Sequence, residues 1–278
     1  MMKYSTLPRA IKGFVAAFVL FTPLSFAQVV LPQQLSFDDN EIEATIALTN
    51  AIEVDIKVEF DNAVGLNASN IDISAELLLP TDLSIVNRLP SSLVTATSGF
   101  PVVISISPKP DAGFAFEGMA MVEIYTKALH FNPALRIFRS HANGEFEDIT
   151  QLTAAGSIRS RGNTGSFSDF MILMDLRIPE DVIDTKFARI EQFIADNSSQ
   201  ISPVIMSALN AQLNFLQDDI TNADYTAALS VVDTLIDLVG SCNGDFMADV
   251  WRSSDDLVNV KGELLTKLHT LRFSLRTL

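Results

Sequence analysis

Residues 172–194 read ILMDLRI-PED-VIDTKFARIEQFI, and two patterns meet inside them. Before Pro179 the apolar residues come in short runs broken by Gly, Pro, Asn and Ser, as in strands and turns. After it Ile183, Phe187, Ile190 and Ile194 recur every three or four residues, the period of a helix with one buried face. The residue before a proline disfavours the α region, whereas proline itself suits the first helical turn. The bond between Ile178 and Pro179 is therefore expected to part a β-rich half, 28–178, from an α-helical half, 179–278, each with its own core. The class is α+β.

Upstream of that bond the clearest strand is 53–60. Val54, Ile56, Val58 and Phe60 alternate with Glu53, Asp55, Lys57 and Glu59, so one face belongs in a core and the other in water. The same alternation runs through Ile42, Ala44, Ile46 and Leu48, and again through Ile71, Ile73, Ala75 and Leu77. Further strands are expected at 83–86, 102–107, 118–126, 134–139, 145–149, 157–159 and 167–175, with Asn143-Gly144 as a hairpin turn and 162–165 as another turn. Many short strands at this spacing suggest an antiparallel β-sandwich resembling the immunoglobulin fold, without its disulfide or a tryptophan in this half.

Downstream, three or four helices forming an antiparallel bundle are expected. Ser202 with Pro203 opens the second, Thr221 or Asn222 caps the third, and Gly240 stops it. The last helical region is expected to bury Phe246, Val250, Leu257, Val260, Leu264, Leu268, Leu271 and Leu275, with a break near Ser253-Ser254.

The first 27 residues fit a cleaved secretory signal peptide. Lys3, Arg9 and Lys12 precede an apolar run at 13–21, and Ser25 and Ala27 offer small residues for cleavage before Gln28. That run is short for a membrane span, which takes about 20 residues, and no later one is longer. The expected location is periplasmic or secreted. With one cysteine, Cys242, the chain forms no internal disulfide, and no lipid-anchor cysteine follows the apolar run. The formal charge of −15 becomes more negative once the three basic residues of the signal are removed. Both halves are acidic, which argues against nucleic acid or an anionic membrane surface as partner.

Local sequence offers no hydrolase, zinc, P-loop or dinucleotide motif. His130, His141 and His269 are scattered, although His130 and His141 flank one expected strand. Cys242 lies in the loop Ser241-Cys242-Asn243-Gly244 and is expected to be exposed and inert. Asp38-Asp39-Asn40-Glu41 and Asp255-Asp256 lack the alternating spacing of calcium loops and read as a solvated strand start and a helix N-terminus. Arg159 and Arg161 beside the turn Gly162–Gly165 suggest a small anion-binding nest, with a plain hairpin tip as the simpler reading. Asn67-Ala68-Ser69 and Asn197-Ser198-Ser199 match glycosylation acceptors. No catalytic, cofactor or metal residue is assigned.

The run Leu135-Arg136-Ile137-Phe138, the segments beginning at Gly144 and Gly156, and Ser166-Phe167-Ser168-Asp169-Phe170 resemble the closing strands of β-sandwich modules in bacterial surface proteins. Ile205, Leu209, Leu213 and Leu216, followed by Ala227-Ala228-Leu229, Val232 and Ile236, resemble the small helical domain FIMAH of secreted bacterial proteins. Together these likenesses imply an uncharacterised family of bacterial exported proteins. The expected function is a non-catalytic binding or structural role toward an envelope protein or polysaccharide, with no cofactor. The alternatives are a carboxylate-dependent hydrolase with a cleft between the halves, or an envelope-assembly subunit.

Overall fold

The computed structural model describes residues 28–167 and 169–278. The signal-peptide reading of 1–27 lies outside them. Strict alternation in β3 (Glu41–Ala47) and β4 (Glu53–Val64) buries Ile42, Ala44 and Ile46 against Val54, Ile56, Val58 and Phe60. These strands belong to an antiparallel sheet in the order β11 (Thr150–Thr153), β12 (Arg159–Thr164), β8 (Ala115–Tyr125), β4, β3, β2 (Gln34–Asp38). A second antiparallel sheet runs β1 (Val29–Val30), β5 (Ile71–Leu77), β7 (Val102–Pro108), β13 (Asp169–Asp175), β9 (Leu135–Ser140), β10 (Glu147–Asp148), with β6 (Val94–Ala96) also on β13. Both sheets contribute to one apolar core, where Ile73, Ile104, Ile137 and Ile172 of the second meet Ile46, Val58 and Val122 of the first. Each such side chain, fully buried, contributes about 1.5–3 kcal/mol.

Four long helices follow the strands of the two sheets. Helix α2 (Pro179–Asp196) has Pro179 in its first turn and buries Ile183, Phe187, Ile190 and Ile194. The other long helices are α3 (Pro203–Thr221), α4 (Tyr225–Gly240) and α5 (Val260–Arg276). The four share a second apolar core that includes Leu209, Leu216, Val232, Leu235, Leu264 and Leu268. Ser202 caps α3 as expected, but α4 is capped by Asp224, whose side chain accepts from the Ala227 N–H at 3.0 Å, and not by Thr221 or Asn222.

Other expectations need correction. Residues 83–86 form a short helix, α1 (Leu83–Val86), because Asp82 accepts from the Ser84 N–H at 2.9 Å and starts a helical turn. The segment expected as a turn at 162–165 is mostly strand: Gly162, Asn163 and Thr164 pair with Val122, Met121 and Ala120 of β8. Gly162 serves close packing, since a Cβ there would sit 2.8 Å from the Ile149 side chain. The last helical region is not continuous. Val250–Arg252 form β14, which pairs with Ala115, Phe116 and Glu117 of β8, and a helix begins only at Val260.

Strand β14 joins the two halves. β12 accompanies β8 only from Ala120 onward, so β14 completes the flank of β8 that β12 leaves free. Gly118 lies between the two pairings with a left-handed φ of 65°, and its N–H donates to the Asp249 carbonyl at 2.8 Å. Trp251 thereby enters the core of the sheet pair, against Phe114, Phe116 and Phe167 at centroid separations of 6.0, 5.5 and 5.9 Å. Helix α5 lies between the cores, packing on α2 and α4 on one side and on β8, β11 and β12 on the other.

Candidate ligand-binding cleft

A cleft of about 530 Å³ opens where the hairpin β9–β10, helices α2 and α5, and the segment 255–259 converge. Its floor starts at the N-terminus of α5. Asn259 caps that helix by accepting from the Gly262 N–H at 2.9 Å, while its amide donates to the carbonyls of Gly118 at 2.7 Å and Gly165 at 3.3 Å. Gly262 is required there because a Cβ would lie 2.2 Å from the Gly118 carbonyl oxygen. This close approach brings Glu263 and Lys267, on successive turns of α5, under the hairpin.

Arg139 of β9 meets Glu263 in a bidentate pair at 2.6 and 3.0 Å. Arg139 also donates to Thr164 Oγ1 at 2.8 Å, and the Ser166 hydroxyl donates to Glu263 at 2.8 Å. Both charged side chains are buried. Burial opposes the charge on Glu263, but the Arg139 guanidinium outweighs it and holds the carboxyl down to about 2. Burial likewise opposes Arg139, yet Glu263 and then Glu147 raise its pKa above the ordinary arginine value. Glu147 sits among Lys267 at 3.1 Å, Arg189 at 3.4 Å and Arg139 at 3.6 Å. Partial burial opposes the charge on Glu147, but these cations outweigh it and hold the carboxyl below the usual carboxylate range.

A second knot lies beside the cleft. Lys186 of α2 donates to Asp148 at 2.6 Å, Thr270 Oγ1 at 2.7 Å and Ser274 Oγ at 2.8 Å. Burial pushes the lysine below its ordinary value; for Asp148 burial acts upward, but Lys186 and Thr150 outweigh it and keep it low. Each buried charge thus has a partner from the other half, the condition under which such groups are tolerated.

At the rim, His141 Nδ1 donates to the Phe167 carbonyl at 3.0 Å, since a carbonyl oxygen can only accept. Its Nε2 faces Asp255 Oδ2 at 3.7 Å. Asp255 has a left-handed φ of 52°, and with Asp256 it belongs to the rim, not to a helix N-terminus, because α5 starts later at the Asn259 cap.

The remaining sequence candidates lie elsewhere. His130 is exposed, and His269 is a half-buried residue of α5 whose pKa burial lowers. The three histidines do not converge, and among the described residues no group of three or more His, Cys, Asp or Glu side chains is placed to hold a metal ion. Cys242 is not loop-exposed: it packs in the helical core and its thiol donates to the Leu238 carbonyl at 3.3 Å. Burial raises its pKa in spite of Lys261, whose ammonium donates to the Cys242 carbonyl. The anion nest does not form, because Arg159 and Arg161 both turn to Glu123. Asn197 is buried at the end of α2, donating its amide to the Phe193 carbonyl.

Sequence reading missed Arg139, Glu147, Glu263 and Lys267. One signal was available: Gly262, Thr266 and Thr270 place small residues on one face of α5, a face that packs closely on something other than the leucine stripe.

A family profile matches residues 15–278. The chain belongs to DUF6689, a family of unknown function. The match runs through both halves, so the junction and its cleft lie wholly inside the DUF6689 region. No curated protein and no solved structure matches the chain. Among the described residues, no helix of this DUF6689 member is long and apolar enough to cross a membrane.

Proposed function

We propose that the chain is an exported, non-catalytic binding protein of the periplasm or the extracellular space, and that the cleft between its halves is the binding site. In this reading the sheet pair is an immunoglobulin-like sandwich, the helices form an antiparallel bundle, and an envelope protein or polysaccharide is the partner. One observation carries the proposal: the cleft gathers acids and bases, yet the buried Glu263 and the partly exposed Glu147 are both held ionised by cations. Carboxylate hydrolysis needs one acid raised enough to hand over a proton at neutral pH, so that two carboxyl groups are driven apart in pKa. Glu263 and Glu147 are displaced in the same direction, downward. A cleft of a few hundred Å³ is the usual size of a small-ligand site.

The test is an assay of the purified protein on ester, peptide and glycoside substrates, beside capture of envelope fractions. The expected outcome is retention without turnover. Turnover that copurifies with the protein and is lost on Glu263→Gln or Glu147→Gln would replace this reading with the hydrolase.

A further inference from the structure

The strands at the ends of the two sheets are protected unequally. Two of them meet the helices: β10 is two residues long, with Glu147 tied to Lys267 and Asp148 to Lys186, and β11 is bulged between Thr150 and Leu152 and packs on α5. At the opposite ends stand β1, again two residues long, and β2. Strand β2 is five residues long and keeps unbroken register with β3, from Gln34 opposite Thr45 to Asp38 opposite Glu41. Among the described residues, no helix or strand packs along its outer side. A regular edge of this kind is a template for another strand, and proteins that stay apart blunt it with lysine, proline, a bulge or a cover. β2 has none of these. It reads Gln34-Leu35-Ser36-Phe37-Asp38, with its one charge at its end, and Leu31 and Leu35 are 68 % and 40 % exposed.

The order of residues in β2 identifies what fits beside it. Set antiparallel to a copy of itself, with Ser36 opposite Ser36 of the second copy, the strand places Leu35 opposite Phe37 and Gln34 opposite Asp38, each pair occurring twice. Leu35 and Phe37 share a face with Ala44 and Ile42, their buried neighbours on β3, so these apolar pairs would extend the core from one copy toward the next. Gln34 and Asp38 lie on the other face, where an amide can donate to a carboxylate, and no two carboxylates stand opposite each other. An unrelated strand would have to reproduce this order, whereas a second copy has it by construction.

We infer that the protein self-associates through β2, two copies joining their β2-edged sheets into one antiparallel sheet about a two-fold axis at Ser36. This surface shares no residue with the cleft, so the inference stands whether or not the cleft binds a ligand. A single strand pair is a small interface, and the association is expected at about micromolar affinity or weaker. Both copies carry the acidic excess of the chain, so added salt should strengthen it by screening their repulsion.

Sedimentation velocity of the purified protein from about 1 μM to about 1 mM tests this. The expected result is a shift from the mass of one chain to that of two, reached at lower concentration in higher salt. Leu35→Lys places a charge on the exposed edge and should weaken the association at least about tenfold without moving the thermal midpoint. A cross-link tests the register itself. Directly opposite residues of antiparallel strands lie about 4.5–5.5 Å apart at Cα, within reach of a disulfide. Under oxidised glutathione, Ser36→Cys should therefore give a covalent dimer; the native Cys242 is buried and does not compete. Gln34→Cys should not, because its own counterpart would lie four residues along the strand, about 13 Å away. If Leu35→Lys fails to fold, the Ser36→Cys cross-link decides alone. A single-chain mass at every concentration would overturn the inference. So would an association that Leu35→Lys leaves intact and Ser36→Cys does not trap, and equal trapping by both cysteine variants would overturn the two-fold register.

Discussion

The core of the sheet pair and the junction beneath α5 solve the same problem by opposite means. In the core, Val54, Ile56, Val58 and Phe60 need only face inward, and neighbouring side chains of similar size would serve nearly as well. At the junction, Arg139, Asp148, Lys186 and Glu263 are buried with their charges, so each requires one particular counter-ion at one particular place. Apolar packing is tolerant and holds each half together. Buried ion pairs are intolerant, and here they specify how the halves meet. Replacing such a pair by apolar groups is often neutral or stabilising, whereas removing one partner is costly. The junction is thus better understood as a device for register than as a reservoir of stability.

The largest effect should come from removing the junction altogether. A chain ending at residue 178 loses Trp251 from the sheet core and leaves Arg139 and Asp148 without Glu263 and Lys186. It should show no cooperative thermal transition by circular dichroism. A transition matching that of the whole protein would mean that the halves are merely docked, as the change of apolar period at Pro179 suggests.

Next comes Glu263→Ala, which strands the Arg139 guanidinium and should cost about 3–5 kcal/mol in urea unfolding. The double variant Arg139→Met with Glu263→Leu should recover most of that loss. If it recovers nothing, the pair supplies stability and not only register.

Acid should act on the same pair. The folded pKa of Glu263, about 2, lies below its ordinary value of 4.5, so its contribution is complete above pH 4.5 and fades as pH falls toward 2. The gap corresponds to about 3 kcal/mol. Unfolding midpoints between pH 5 and pH 2 should decline in the wild type, and this part of the decline should be missing in the double variant.

The smallest effect is expected at Cys242. Because the thiol is packed among Val239 and Met247 in the helical core, Cys242→Ser should cost about 1–2 kcal/mol. A change under about 0.5 kcal/mol would place it in solvent instead.

What was legible in the sequence follows the same division. Alternation through β3, β4 and β5 and the three-four spacing in α2 and α3 are local patterns, and each marks a buried face without reference to the rest of the chain. Strand β14 was illegible because three residues carry no period, and Val250 happens to fit the helical spacing of Phe246 and Leu257. Residues 162–165 were misread because glycine suits both a turn and a strand pressed against Ile149. The cleft was invisible for a deeper reason. Arg139 and Glu263 stand 124 residues apart, and in sequence each is one more charge on an acidic chain. Only the close approach of Gly118 to Gly262 brings them together.

The pairing of β14 with β8 bears on the order in which a ribosome presents this protein. Ala115, Phe116 and Glu117 are synthesised early, yet their partner strand follows helices α2, α3 and α4. Until Val250–Arg252 arrive, that stretch of β8 offers unpaired backbone groups beside a cluster of phenylalanines, the kind of edge that invites pairing with another chain. A nascent or prematurely terminated chain is therefore the aggregation-prone species, and the protein is safe from its own edge only when its C-terminal region has been made.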